Sequence, residues 1–140
     1  MALWRLHYHL VWATKYRAPI IDPRWEADLY GYMIGKAVSL GCIVHAINGT
    51  ADHIHVVASI PPTLTVAEFV KGLKGSSSRH RNRVALSGTE RFQWQVGYGA
   101  FSVSGRQLQR AIAYVENQKQ HHAQNQVWSA VEPLFDQGFA

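Results

Sequence analysis

From Trp4 to Trp12 the chain reads WRLHYHLVW, with Trp4, Leu6, Tyr8, Leu10 and Trp12 on one parity and Arg5, His7 and His9 on the other. That alternation places apolar side chains on one face of a β-strand and polar ones on the reverse. The period then lengthens. Asp22-Pro23 supplies an N-cap and a first-turn proline. Trp25, Leu29, Tyr32, Met33, Ala37 and Leu40 follow at helical spacing, with the Lys36 stem alongside, before Gly41. This predicts a helix closing at the glycine. Ile43–Ile47 predicts a second strand, Asn48-Gly49 a hairpin turn in a loop longer than two residues, and Asp52–Ile60 its antiparallel partner, ended by Pro61-Pro62.

Further on, Thr65-Val66-Ala67-Glu68 has the capping-box pattern and predicts a helix to about Leu73, followed by GSSSRHRNR as a helical or irregular arm. Phe92–Gln95 and Tyr98–Val103 predict two short strands around Gly97 and Gly99. Ser104-Gly105-Arg106-Gln107 repeats the capping pattern and opens a last helix to about His122, with Leu108, Ala111, Ile112 and Val115 as its docking stripe. The order predicts a single α+β domain over residues 1–140, an antiparallel sheet with helices packed on one face, of ferredoxin-like type. A chain of 140 residues can bury one core but not two.

Composition adds exclusions. No apolar stretch approaches the roughly 18 residues of a membrane span. Arg5, His7 and His9 interrupt any signal-peptide core. The lone Cys42 permits no internal disulfide, and a cytoplasmic location is expected. The formal charge of +5 matters through its distribution: Lys71, Lys74, Arg79, Arg81 and Arg83 fall in one short window without an acid. Such a window suits a polyanion.

The candidate chemistry lies in DHIHVVASIPP, Asp52 to Pro62. On a strand His53, His55, Val57 and Ser59 share one face, while Ile54, Val56, Ala58 and Ile60 supply the core on the other. Two adjacent imidazoles can bind a divalent cation. Taken alone, the triplet reads first as two half-exposed histidines on a solvated face. In AIAYVENQKQHH, Tyr114 and Gln118 are four apart and share a helical face beside the docking stripe.

Together these features resemble the HUH single-tyrosine transposases of the IS200/IS605 insertion sequences. YHLVWATKYRAPII is similar to the family's opening strand and turn, DHIHVVASIPP to its metal strand, and FVKGLKGSSSR to its helix-and-arm segment. WQVGYGAFSVS is similar to the strands before the last helix and YVENQKQHH to the tyrosine helix. The resemblance implies that His53, His55 and Gln118 bind Mg2+ or Mn2+ and that Tyr114 is the nucleophile. The implied product is a 5′-phosphotyrosine on single-stranded DNA cut at hairpin-bearing element ends. It further implies a homodimer whose subunits can share active sites. Lys71, Lys74, Arg79, Arg81 and Arg83, joined by Lys15 and Arg17, are the expected phosphate contacts; Trp12, Tyr16 and Trp94 could stack on bases, but core packing is the more usual job for each. Five such contacts on a single strand give a log–log salt slope of about −3.5. Asn117, Gln120, His121 and His122 compete with Gln118 as third ligand, and the tail after His122 matches the family poorly. Two rival functions remain: a non-catalytic single-stranded nucleic-acid binder, and a metal-dependent nuclease that uses water.

Overall fold

The computed structural model describes residues 3–84 and 91–123, with side chains as far as Gln120. The elements run β1 (His7–Ala13), α1 (Glu26–Ser39), β2 (Ile43–Gly49), β3 (His53–Ser59), α2 (Val66–Val84), β4 (Gly99–Val103), α3 (Leu108–Glu116) and α4 (Gln118–Ala123). The four strands form one antiparallel sheet in the order β2-β3-β1-β4. This is the βαββαβ ferredoxin-like topology with two helical segments appended.

Alternation along β1 and β3 divides the sheet into two faces. On one, Leu10 and Trp12 with Ile54, Val56 and Ala58 pack against Leu29, Met33 and Ala37 of α1 and Phe69, Val70 and Leu73 of α2. On the other, Ala46, Val57 and Val103 meet Ala111 and Val115 of α3, with Leu108, Ile112 and Tyr114 at the margin. Val57 and Val115 are wholly buried, and each such burial contributes roughly 1.5–3 kcal/mol.

The antiparallel α+β architecture agrees with the sequence expectation, and α1 and α2 share a face as expected. The helix after β4 takes the opposite face, because its apolar stripe meets the small second cluster there. Both capping boxes form: Glu68 N donates to Thr65 Oγ1 at 3.0 Å, and Gln107 N to Ser104 Oγ at 3.3 Å. Gly41, at φ 78°, closes α1.

Several boundaries differ. The serine-rich arm beyond Leu73 continues α2 to Val84, where Ser76, Ser77 and Ser78 each hydrogen-bond a carbonyl three residues back. Asn48-Gly49 ends β2 instead of turning, and the turn is Thr50–Asp52. The Phe92–Gln95 strand reduces to a single bridge between Trp94 and Thr14. The last helix breaks at Asn117. The tail after Ala123 lies outside the described residues. No described helix is long and apolar enough to cross a membrane.

Candidate active site

In the β1–β3 register His53 lies opposite Ala13 and His55 opposite Val11, so both imidazoles point to the face that α3 covers. They are not half-exposed. His53 is 1% and His55 0% accessible, with ring centroids 5.2 Å apart. Buried imidazoles require hydrogen-bond partners. His53 Nδ1 lies 2.8 Å from Asp52 Oδ1 and 2.9 Å from Thr50 Oγ1. His55 Nδ1 lies 2.8 Å from Nε2 of His9, itself wholly buried on β1. Both rings are therefore held through Nδ1, and the carboxylate beside His53 assigns the proton to that atom. The two Nε2 atoms are enclosed away from solvent.

Asp52 is itself held. Thr50 Oγ1 donates to its Oδ1 at 3.1 Å, and Arg17 Nε approaches its Oδ2 at 3.4 Å. Burial pushes its carboxyl up, but the His53 hydrogen bond and charge, with Arg17 and Thr50, outweigh this and keep it below the usual carboxylate value.

Tyr114 comes from α3 of the same chain, its ring centroid 6.0 Å from His55 and 6.1 Å from His9. Gln118 opens α4 and is wholly buried, with Oε1 enclosed. The break at Asn117, at φ −101° and ψ 20°, falls between them. Asn48 steadies that break: its Nδ2 donates to Glu116 O at 2.9 Å, while Lys119 Nζ donates to Asn48 Oδ1 at 2.6 Å and pairs with Glu26 at 3.0 Å. Asn117 and Gln120 are exposed, so Gln118 is the candidate third ligand that turns inward. The side chains of His121 and His122 lie outside the described residues.

Among the described residues no three His, Cys, Asp or Glu side chains group as a metal cluster. The candidate donors are instead the imidazoles of His53 and His55 and the buried amide of Gln118. Imidazoles fixed through Nδ1 by outer partners are the arrangement that metal-binding histidines need, and the residues fit a divalent ion.

The expected phosphate contacts differ in how they are engaged. Lys71 and Lys74 line a groove of about 660 Å³ between α2 and residues 91–98, with Ser78, Asn82, Trp94 and Tyr98 among its walls. Within it, Lys74 Nζ donates to Gln95 O at 2.8 Å and Gly97 O at 2.6 Å, an anchoring role. Arg81, seven residues after Lys74 on α2, lies over the Trp25 ring at 3.9 Å. Arg79 and Arg83 are exposed, as is Lys15, whereas Arg17 is drawn onto Asp52. Of the three aromatics, Trp12 is 1% accessible and takes the core-packing role.

Three contributors escape the sequence reading: His9, Asp52 and Asn48. The first two carry a faint signal, since His9 shares the polar parity of its strand and Asp52 directly precedes His53. Asn48 carries none, because its turn-like dipeptide points to a different role.

A tyrosine on the helix after a ferredoxin-like sheet, set against a His-x-His strand, defines the HUH tyrosine transposases, a class of enzymes. The family model described as "Transposase IS200 like" matches residues 2–118, and the chain belongs to that family. The ISDra2 transposase TnpA of Deinococcus radiodurans is 28% identical over 120 residues, spanning 83% of this chain and 86% of that protein. The transposase for insertion sequence element IS200 of Salmonella typhimurium is 33% identical over 86 residues, 54% of this chain and 49% of that one. A crystal structure of a putative transposase from Deinococcus radiodurans superposes with a TM-score of 0.67 at 28% identity, covering 84% of this chain and 93% of that one. A REP-associated tyrosine transposase bound to a REP hairpin gives a TM-score of 0.62 at 11% identity, over 91% of this chain and 76% of that one, a likeness of fold.

Proposed function

We propose that the protein cuts and rejoins single-stranded DNA at hairpin-bearing element ends through a 5′-phosphotyrosine on Tyr114, assisted by Mg2+ or Mn2+ held by His53, His55 and Gln118. The observation that carries this is the seating of Tyr114 against His55 in the same chain, at a ring separation of 6.0 Å. A bound divalent ion would favour the phenolate and neutralise charge on a non-bridging phosphate oxygen. Free tyrosine has a pKa of about 10, so such help matters at neutral pH.

The chain's residues do the rest. Asp52 and His9 hold the two imidazoles, and α3 fixes the phenol. The Tyr114 oxygen attacks the scissile phosphorus, the P–O3′ bond breaks, and the leaving oxygen takes up a proton as a free 3′-hydroxyl. The phosphodiester energy stays in the tyrosyl ester, so attack by another 3′-hydroxyl releases Tyr114 and joins a new strand without ATP. Exchange of two ends needs two such sites, which supports a homodimer. The REP-hairpin complex of the fold relative agrees with a hairpin substrate.

The test is a covalent adduct. Hairpin-bearing single-stranded DNA with Mg2+ or Mn2+ gives a protein–DNA band on a denaturing gel. Tyr114→Phe abolishes it, and His53→Ala or a chelator reduces it strongly. Cleavage at the normal rate in Tyr114→Phe would establish the water-using nuclease instead. DNA binding without cleavage would establish the non-catalytic binder.

A further inference from the structure

Tyr16 and Arg17 are consecutive non-glycine residues in the left-handed region, at φ 59° and 53°. Such backbone stores strain that its surroundings must hold. Here Lys15 N bonds Gln93 O at 3.0 Å, Gln95 N bonds Ala13 O at 2.9 Å and Arg17 N bonds Thr14 O at 2.9 Å. The turn sends its side chains in different directions. Arg17 reaches Asp52, the partner of His53. Tyr16 is left 87% exposed.

An aromatic carried into water on a firmly bonded backbone turn has no packing rationale. Its surroundings supply one. A groove of about 420 Å³ beside it is lined by Lys15, Tyr16, Gln93, Trp94, Gln95 and Val96. Lys15 Nζ lies 5.5 Å from the Tyr16 centroid. Trp94 is fixed in place, its Nε1 donating to Ser77 Oγ at 2.9 Å and its ring set edge-on to Trp12 and Phe92. One open aromatic face, one cation and two amide side chains match a base, its phosphate and its polar edge.

We propose that this turn and groove hold one unpaired nucleobase of the DNA strand, stacked on Tyr16 with its phosphate at Lys15. This rests on the single-stranded DNA reading above and adds a subsite to it. Because Arg17 of the same turn contacts Asp52, the base belongs to the single strand flanking the scissile linkage.

The experiment compares oligothymidine with an abasic chain of equal length and charge by fluorescence titration. The wild type binds the thymidine chain more tightly. Tyr16→Phe keeps that preference, whereas Tyr16→Gly reduces it about tenfold. Tyr16→Gly does not lower the melting temperature, because glycine accepts φ 59° without strain. Lys15→Ala weakens both polymers equally. Full preference in Tyr16→Gly overturns the subsite and leaves the single-strand reading standing. A Tyr16→Gly protein that melts early and also loses the abasic chain overturns it too, since Tyr16 would then serve the fold. A wild type that binds neither polymer overturns the single-strand reading itself, and the subsite with it.

Discussion

His9 Nε2 stands 2.8 Å from His55 Nδ1, with both imidazoles wholly buried and on neighbouring strands. The bond fixes the His55 ring and turns Nε2 toward the side where a metal would sit. His9→Phe keeps an aromatic of similar size but offers His55 no polar partner. Mn2+ affinity is expected to fall about 10- to 100-fold, the usual cost of losing an outer partner of a metal histidine. Mn2+ titration followed by paramagnetic resonance measures it, and adduct yield should recover at high Mn2+. Wild-type Mn2+ affinity in this variant would remove His9 from the site.

Asp52 plays the matching part for His53, and its carboxylate is shared with Arg17. Asp52→Asn retains the shape but removes the charge that favours a proton on His53 Nδ1. Its Mn2+ affinity is expected to drop by a similar 10- to 100-fold. Arg17→Ala reaches His53 through the carboxylate, across a partly exposed pair worth about 1 kcal/mol or less, so its loss should be several-fold at most. Equal losses in the two variants would contradict this ordering.

Much of the site was legible because strand parity is a local property. Once β3 was recognised, His53 and His55 had to share a face with Val57 and not with Ile54. Tyr114 was legible for the same reason, through the stripe of Leu108, Ala111 and Val115. His9 was not, because its approach to His55 depends on the pairing of β1 with β3, which one sequence does not encode locally. Nor was the break at Asn117: helical periodicity runs through it, and Asn48 reaches it from the distant strand β2. How each cation of the basic window is engaged was not legible, because those partners come from distant segments. Lys74 is bonded to the carbonyls of Gln95 and Gly97, and Arg81 lies over Trp25.

That sorting has a measurable consequence. Each phosphate contact on a single strand contributes about 0.7 to the log–log salt slope. Lys71→Ala should lower the slope by about that amount, whereas Arg81→Ala should leave it nearly unchanged because its guanidinium is engaged by Trp25. Affinity titrations over a salt series decide the point. A drop of about 0.7 for Arg81→Ala would return this residue to the DNA surface.

Lys74 gives a pH dependence of defined sign. Burial pushes its ammonium down to about 8, while Gln95 O and Gly97 O accept its hydrogen bonds. In the unfolded chain lysine titrates at about 10.4. Between these values the unfolded state binds the proton and the folded state does not, so stability rises with pH across that window and is flat in this respect below it. Lys74→Met should abolish the rise in denaturant melts from pH 8 upward. At neutral pH it should cost about 1–3 kcal/mol, because two carbonyls lose their donor. An unchanged alkaline rise in the variant would assign the proton elsewhere.

Gly49 ends β2 where the chain turns back into the histidine strand. A Cβ there would meet the His53 carbonyl and come within 2.8 Å of Ile54 Cα, both backbone and neither able to yield. Gly49→Ala must therefore push β3 away at its first residue, which carries His53. Overpacking of this kind costs about 1–3 kcal/mol, so the melting temperature should fall by several degrees and Mn2+ affinity should fall with it. Gly31 and Gly35 in α1 provide the contrast. A Cβ at either meets nothing within 4 Å, and alanine in a helix interior gains about 0.5–1 kcal/mol over glycine. Gly31→Ala and Gly35→Ala should raise the melting temperature and leave Mn2+ binding unchanged. A Gly49→Ala protein that behaves like these two would show that the β2–β3 turn has slack, and that the position of His53 is set from β1 alone.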